Sequence, residues 1–140
     1  MESKAPDRLY CRKSDREIYD LLKKEEPFKR KDLIHIFMMA LSAGYMEKNR
    51  VKLDTKVGLI LLYHVPREVK SIMKAIAIAE EDGNLNVLLD EGKVYSIAEE
   101  YATGGIKILK NKVLSGDFGS YIKKLEAELI DKYEKNKKSL

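Results

Sequence analysis

The chain has 140 residues, and 27 Lys and Arg against 23 Asp and Glu give it a formal net charge of +4. This length corresponds to one domain, which buries roughly 68% of its unfolded surface and needs no covalent staple. A hydrophobic content of 44%, with 8 Gly and 3 Pro, excludes collagen-like, low-complexity and intrinsically disordered classes. The single cysteine, Cys11, excludes an internal disulfide and a multi-thiolate zinc site.

Neither a secretory signal nor a membrane span is visible in the sequence. The amino-terminal segment MESKAPDRLYCRK has no apolar stretch of the kind a signal peptide requires. The longest apolar run, 57–63, is far shorter than the roughly 20 residues of a membrane helix. We therefore expect a cytoplasmic protein without membrane contact, in a reducing setting that suits a free thiol. Cys11 is expected at the surface, where Arg12 and Lys13 favour its thiolate.

The first third of the chain predicts two helices. Ser14, with Glu17 three residues later, has the spacing of a capping box, and the helix that it begins should end before Pro27. Asp32 is placed to cap the next helix, which is apolar on almost every side over 32–43 and should be the central helix of the domain. Gly44 is placed to end that helix in a left-handed conformation.

The segment 57–65 cannot be assigned by periodicity, because a buried strand and a buried helix leave the same apolar run. Its flanks favour an extended structure that forms a small hairpin with 50–53, and a helix over 56–64 remains open. The later helices are predicted from apolar residues at three- and four-residue intervals, with breaks at 82–84 and at Gly104-Gly105. They cover 66–81, 90–103, 106–113 and 118–133.

Together these patterns predict an all-α fold. We expect one domain over 1–140, a compact orthogonal bundle of five or six helices, with room for one small β-hairpin around 50–63. The end segments 1–12 and 135–140 are expected to be flexible.

Charge is unevenly distributed along the chain. Between 77 and 101 there are seven acids and a single base, Lys93, whereas bases gather near both ends. A basic face can neutralise phosphates and release their counterions, although lysine-rich ends are also common as plain solvated surface. The residues predicted to contact duplex DNA are the bases of the amino-terminal segments: Arg8, Arg12, Lys13, Arg16, Lys29, Arg30 and Lys31.

No catalytic residue, metal ligand or cofactor is predicted. His35 and His64 have no ligand spacing and are expected to have structural roles. A Gly-Gly pair can cradle a phosphate at a helix start, but the P-loop pattern is absent and a helix–helix corner is the preferred interpretation. Adjacent helical acids point about 100° apart and do not converge on one ion. The acidic segment is instead predicted to be a partner-binding surface, with the candidates Glu99, Glu100, Tyr101, Gly104 and Gly105.

Several segments resemble one known family. They are Pro27-Phe28-Lys29, 32–40, Gly44-Tyr45, 76–79 and 97–106. Over roughly residues 27–114 the chain is similar to Dnd system-associated protein 4, and Glu-Glu-Tyr-Ala-Thr-Gly-Gly-Ile is the most distinctive part. These proteins accompany gene sets for DNA phosphorothioation, which mark DNA with sulphur and restrict unmarked DNA. The resemblance implies a context of DNA modification and defence, with no catalytic residues to transfer.

The sequence therefore predicts a non-catalytic accessory protein of a DNA modification and restriction system. Its expected partners are other proteins of that system and duplex DNA. One alternative is an oligomeric scaffold without nucleic-acid contact, in which the apolar helix 32–43 is shared across a homodimer. A second alternative is a small metal-dependent nuclease, for which no carboxylate spacing in the chain provides a Mg²⁺ site.

Overall fold

The computed structural model describes residues 6–26, 28–115 and 118–138. Within this part of the chain, five α-helices and one two-stranded sheet make up the fold, so the predicted mostly helical domain with a small β element is confirmed. In chain order the elements are β1 (Arg8–Arg12), α1 (Arg16–Lys23), α2 (Leu33–Met46), β2 (Lys56–Leu61), α3 (Arg67–Glu80), α4 (Glu91–Leu114) and α5 (Phe118–Lys138). Short 3₁₀ helices lie at Lys13–Asp15, Phe28–Arg30, Leu62–His64 and Leu85–Leu89.

The sheet pairs two segments that are distant in sequence. The extended interpretation of 57–65 is confirmed for β2, but its partner is β1, in antiparallel register, and the expected hairpin with 50–53 is wrong. Within the amino-terminal segment that we expected to be flexible, residues 8–12 form β1, whereas residues 1–5 lie outside the described residues. Alternation explains the strand: Leu9 and Cys11 point to the interior and are 0% and 3% exposed, as a half-buried strand requires.

Helices α2 and α4 form the centre of the domain. The expectation that α2 is the central helix is confirmed, since Ile36, Phe37 and Ala40 are fully buried. Its main neighbour is α4, a continuous helix of 24 residues with Ile97 and Ile106 in the core. Because α4 of the same chain covers α2, its apolar character is accounted for within one copy of the protein.

Two glycines, Gly44 and Gly105, lie where these two helices touch. The predictions that Gly44 ends α2 and that Gly104-Gly105 ends the following helix are wrong, because both helices continue past them. A Cβ atom on Gly44 would overlap the backbone carbonyl of Tyr101, and one on Gly105 would overlap that of Ala40. Glycine is therefore required here by the close approach of two backbones and not by a turn.

Helices α2 and α3 end in left-handed turns that contain residues other than glycine. Helix α2 ends at Met46 and is followed by Lys48, whose φ of 53° is left-handed. The Asn49 N–H donates to the Gly44 carbonyl at 2.8 Å, as in a Schellman motif. Helix α3 ends in the same motif at Asp82 and Gly83, with φ values of 56° and 86°. The break predicted at 82–84 is therefore confirmed.

The start of α1 differs from its prediction. Ser14 lies in the 3₁₀ helix Lys13–Asp15, so the capping box does not form and α1 begins at Arg16. Asp15 occupies the position before the helix but makes no capping bond. Its carboxylate instead accepts from Arg12 at 3.1 and 3.3 Å.

Among the described helices, none combines the length and the apolar composition that crossing a lipid bilayer would demand.

Because α2 and α4 touch at Gly105, adding a single methyl group there should destabilise the protein. Gly105→Ala places a Cβ against the backbone of Ala40, so the two central helices must separate. We expect the free energy of unfolding to fall by about 3 kcal/mol or more, measured by urea denaturation. Gly92→Ala is the matched control on the same helix, since its Cβ would meet only the Asp90 carboxylate at 3.4 Å, and it should be neutral or stabilising. Equal effects of the two substitutions would contradict this interpretation.

Candidate functional site

The segment 99–106, the most distinctive part of the family resemblance, lies in the middle of α4 and mostly faces the interior. Of the five residues predicted to form a partner surface, Glu99 is 4% and Tyr101 is 5% exposed, and Gly104 and Gly105 are also buried. Only Glu100 reaches the surface, where it is half-buried. The structure thus brings the five residues together, but four of them contact this chain's own elements.

Glu99 connects α4 to the sheet. Its Oε2 accepts the backbone N–H of Tyr10 in β1 at 2.8 Å, and Tyr10 is paired with Gly58 of β2. Burial raises the pKa of Glu99 from 4.5 to about 7, although the Tyr10 N–H and the charge of Lys56 act in the opposite direction. The Glu99 carboxyl group therefore bonds α4 to β1, and its burial disfavours the ionised form.

Glu100 and Tyr101 tie three elements together through Arg50. The Arg50 guanidinium donates to the Glu100 carboxylate at 2.6 Å and to the Glu80 carboxylate of α3 at 3.1 Å. The Tyr101 hydroxyl also donates to Glu80, and its ring meets the ring of Tyr45 edge-on at 5.3 Å. Burial, and then the Glu80 carboxylate, raise the pKa of Tyr101, so the hydroxyl stays protonated and remains a donor.

The loop after α2 lies along the same segment of α4. The Asn49 side-chain amide donates to the Gly104 carbonyl at 2.9 Å, and the Val51 N–H donates to the Glu100 carbonyl at 3.1 Å. A Cβ on Gly104 would overlap the backbone of Asn49. Because Gly104 and Gly105 lie inside a continuous helix, both the helix-corner and the phosphate-cradle interpretations are wrong, and the Gly-Gly pair serves helix packing.

The seven predicted DNA contacts divide into two groups. Arg8, Arg12 and Arg16 form ion pairs with Asp7, Asp15 and Asp20, at 3.1, 3.1 and 3.5 Å. The Arg12 side chain is also largely covered, with 18% exposed. The other four residues are exposed, and no ion pair is formed by them within the described part of the chain. They are Lys13, Lys29, Arg30 and Lys31.

Cys11, His35 and His64 do not belong to a metal-binding group within the described residues. Cys11 is buried and not at the surface as expected, and burial raises the pKa of its thiol to about 11 despite the nearby charge of Arg16. His35 and His64 are both exposed; His64 lies edge-on to Tyr63 at 5.3 Å. No group of three or more His, Cys, Asp or Glu among the described residues could hold a metal ion.

Comparison with known proteins assigns a family to this arrangement. Residues 11–139 match the family described as DNA sulphur modification system-associated protein 4. The chain belongs to this family. The resemblance carried by 27–114 is therefore confirmed and extends over nearly the whole chain, and it links the protein to a DNA sulphur modification system. No curated protein and no solved structure matches the chain.

The buried carboxyl group of Glu99 should make the stability of the protein depend on pH. In the unfolded chain Glu99 ionises near 4.5, and in the folded chain near 7, so the unfolded state loses this proton first as the pH rises. Glu99→Gln keeps an oxygen for the Tyr10 N–H but has no charge. Relative to that variant, the native chain should lose stability between pH 4.5 and 7, by about 3 kcal/mol in total.

Urea denaturation at several pH values between 4 and 8 measures this difference. The control is Glu91→Gln, which changes an exposed acid at the start of the same helix. The difference in unfolding free energy between the native chain and this variant should vary little with pH. A constant difference between the native chain and Glu99→Gln would mean that the carboxyl group titrates normally.

Proposed function

We propose that this member of the family is an accessory protein of a DNA sulphur modification system that acts by binding, holding duplex DNA on one surface and another protein of the system on a second. The observation that carries the DNA half is the set of four exposed bases without carboxylate partners among the described residues, Lys13, Lys29, Arg30 and Lys31. A cation already paired within its own chain gains little from a phosphate, whereas an unpaired one releases counterions from DNA.

The position of these bases supports contact with the DNA backbone. Lys13 precedes α1 and the triplet 29–31 follows it, and α1 has eight residues, which span about 12 Å. The Lys23 ammonium at the end of α1 donates to the Lys31 carbonyl, so cationic groups lie near both ends of this helix. Such groups can reach different phosphates of one duplex. The exposed side of α1 between them carries Glu17 and Asp20, which disfavours insertion into a groove. We therefore propose phosphate binding without sequence preference.

Neutralising the triplet tests the DNA half of the proposal. For Lys29→Gln/Arg30→Gln/Lys31→Gln, we expect weaker binding to a duplex at low salt. The slope of log K against log salt should become shallower by about 1 to 3, since each lost phosphate contact contributes about 0.9. Fluorescence anisotropy with a labelled duplex of random sequence measures both quantities.

A charge-matched variant separates local contact from overall charge. Lys52→Gln/Lys74→Gln/Lys107→Gln removes the same three charges at exposed positions elsewhere and should reduce affinity far less. Equal losses in the two triple variants would assign binding to net charge alone. A native chain that does not bind the duplex at low salt would remove the DNA half of the proposal.

A further inference from the structure

The 3₁₀ helix Leu85–Leu89 exposes three large apolar side chains. Leu85, Leu88 and Leu89 are 64%, 37% and 87% exposed, while Val87 is 7% exposed and anchors the segment to the core. In a 3₁₀ helix the side chains at i and i+3 are eclipsed, so Leu85 and Leu88 lie on one side. A run of exposed leucines of this kind, held in place by a buried neighbour, is typical of a binding surface.

Helix α3 adds an apolar stripe to this segment. Ile72, Ala75 and Ala79 recur at helical spacing and are exposed, beside the buried face that carries Met73. The Schellman turn after α3 leads directly into the leucines, and the two elements contact each other. We call these six exposed residues the leucine face: Ile72, Ala75, Ala79, Leu85, Leu88 and Leu89.

The charge next to the leucine face is negative. From 80 to 91 the chain has five acids and no base, and Asp82, Asp90 and Glu91 are exposed. Glu81 is paired with Lys93. The bases Lys70 and Lys74 lie in the first half and at the middle of α3, so the negative charge is concentrated at the leucine end.

The acids at the end of α3 work against the helix that carries them. The carboxyl end of a helix is already negative because its last carbonyls are unpaired, and Lys or Arg would stabilise it. Helix α3 has no base in its last turn, and Glu80, Glu81 and Asp82 follow one another there. Glu80 and Glu81 are paired with Arg50 and Lys93, so among the described residues Asp82 is the carboxylate at this end without an ion-pair partner. Its charge and the helix dipole together form a negative field, which attracts a cationic partner.

We propose that the leucine face docks a cationic amphipathic helix of another protein of the DNA sulphur modification system. The leucines take up the apolar stripe of the incoming helix, and Asp82, Asp90 and Glu91 face its lysines or arginines. The stripe from Ile72 to Ala79 spans two helical turns, which matches a partner segment of two to three turns. This inference rests on the proposed function only for the origin of the partner.

A designed peptide tests the chemistry of the face directly. The probe is a labelled 18-residue peptide of Leu and Lys with leucines at i, i+3, i+4 and i+7, and its control is a scrambled peptide of the same composition. We expect the native chain to bind the amphipathic peptide at least tenfold more tightly than the scrambled one, and less tightly as salt increases. Fluorescence anisotropy measures the affinities.

Two double variants localise the binding. Leu85→Ser/Leu89→Ser should weaken binding of the amphipathic peptide at least tenfold, and the fold should persist because both side chains are mostly exposed. Leu114→Ser/Ile130→Ser is the matched control, since it removes apolar side chains that are 49% and 59% exposed elsewhere. It should leave the affinity unchanged, and thermal unfolding verifies that both variants are folded.

The remaining outcomes decide against the proposal. Equal affinity for the two peptides, or equal effects of the two double variants, overturns it. Sedimentation that shows self-association of the native chain, lost in Leu85→Ser/Leu89→Ser, overturns it in favour of a second copy as the occupant. Duplex binding is measured on the same variants: retained DNA binding without peptide binding removes the leucine face alone, and the converse removes the DNA half of the proposed function alone.

Discussion

The close contact between α2 and α4 is the constraint on which the rest of the structure depends. Gly44 and Gly105 allow the two backbones to meet without intervening side chains, and no other residue type permits that distance. Once the helices are this close, the residues on either side of the contact are fixed in position. Glu99 then reaches β1, and Glu100 reaches Arg50.

The segment 99–106, which is the most distinctive part of the family resemblance, therefore has a structural role in the core of the protein. Each of its polar groups bonds within the chain: Glu99 to the sheet, Glu100 to the loop after α2, and the Thr103 hydroxyl to the Glu99 carbonyl at 2.7 Å. The surfaces proposed to bind lie at the periphery, where Lys13 and the triplet 29–31 form no ion pair within the described residues and Leu85 and Leu89 are exposed. An interior bonded within itself, with chemically different outer surfaces, is consistent with the proposed role in binding.

Local pattern alone was enough to predict α2, α3 and the break at 82–84, because their apolar spacing and turn residues depend on nearby sequence. The pairing of β1 with β2 could not be predicted in this way, since its register joins segments far apart in the chain. The role of Gly105 could not be predicted for a related reason. Glycine can end a helix or allow two helices to touch, and local sequence does not show which role applies, because the second role depends on where α2 lies. The sequence located the cations but not Asp15, which neutralises Arg12.

The two central helices are separated by residues 47–90, which include β2 and α3. Their contact can form only after this long stretch of chain has closed into a loop, and that closure costs entropy before any packing energy is gained. Helical proteins usually fold quickly because sequential helices pair. In this chain the largest interface is non-local, so its folding rate should be closer to that of mixed α/β domains than to that of simple helical bundles.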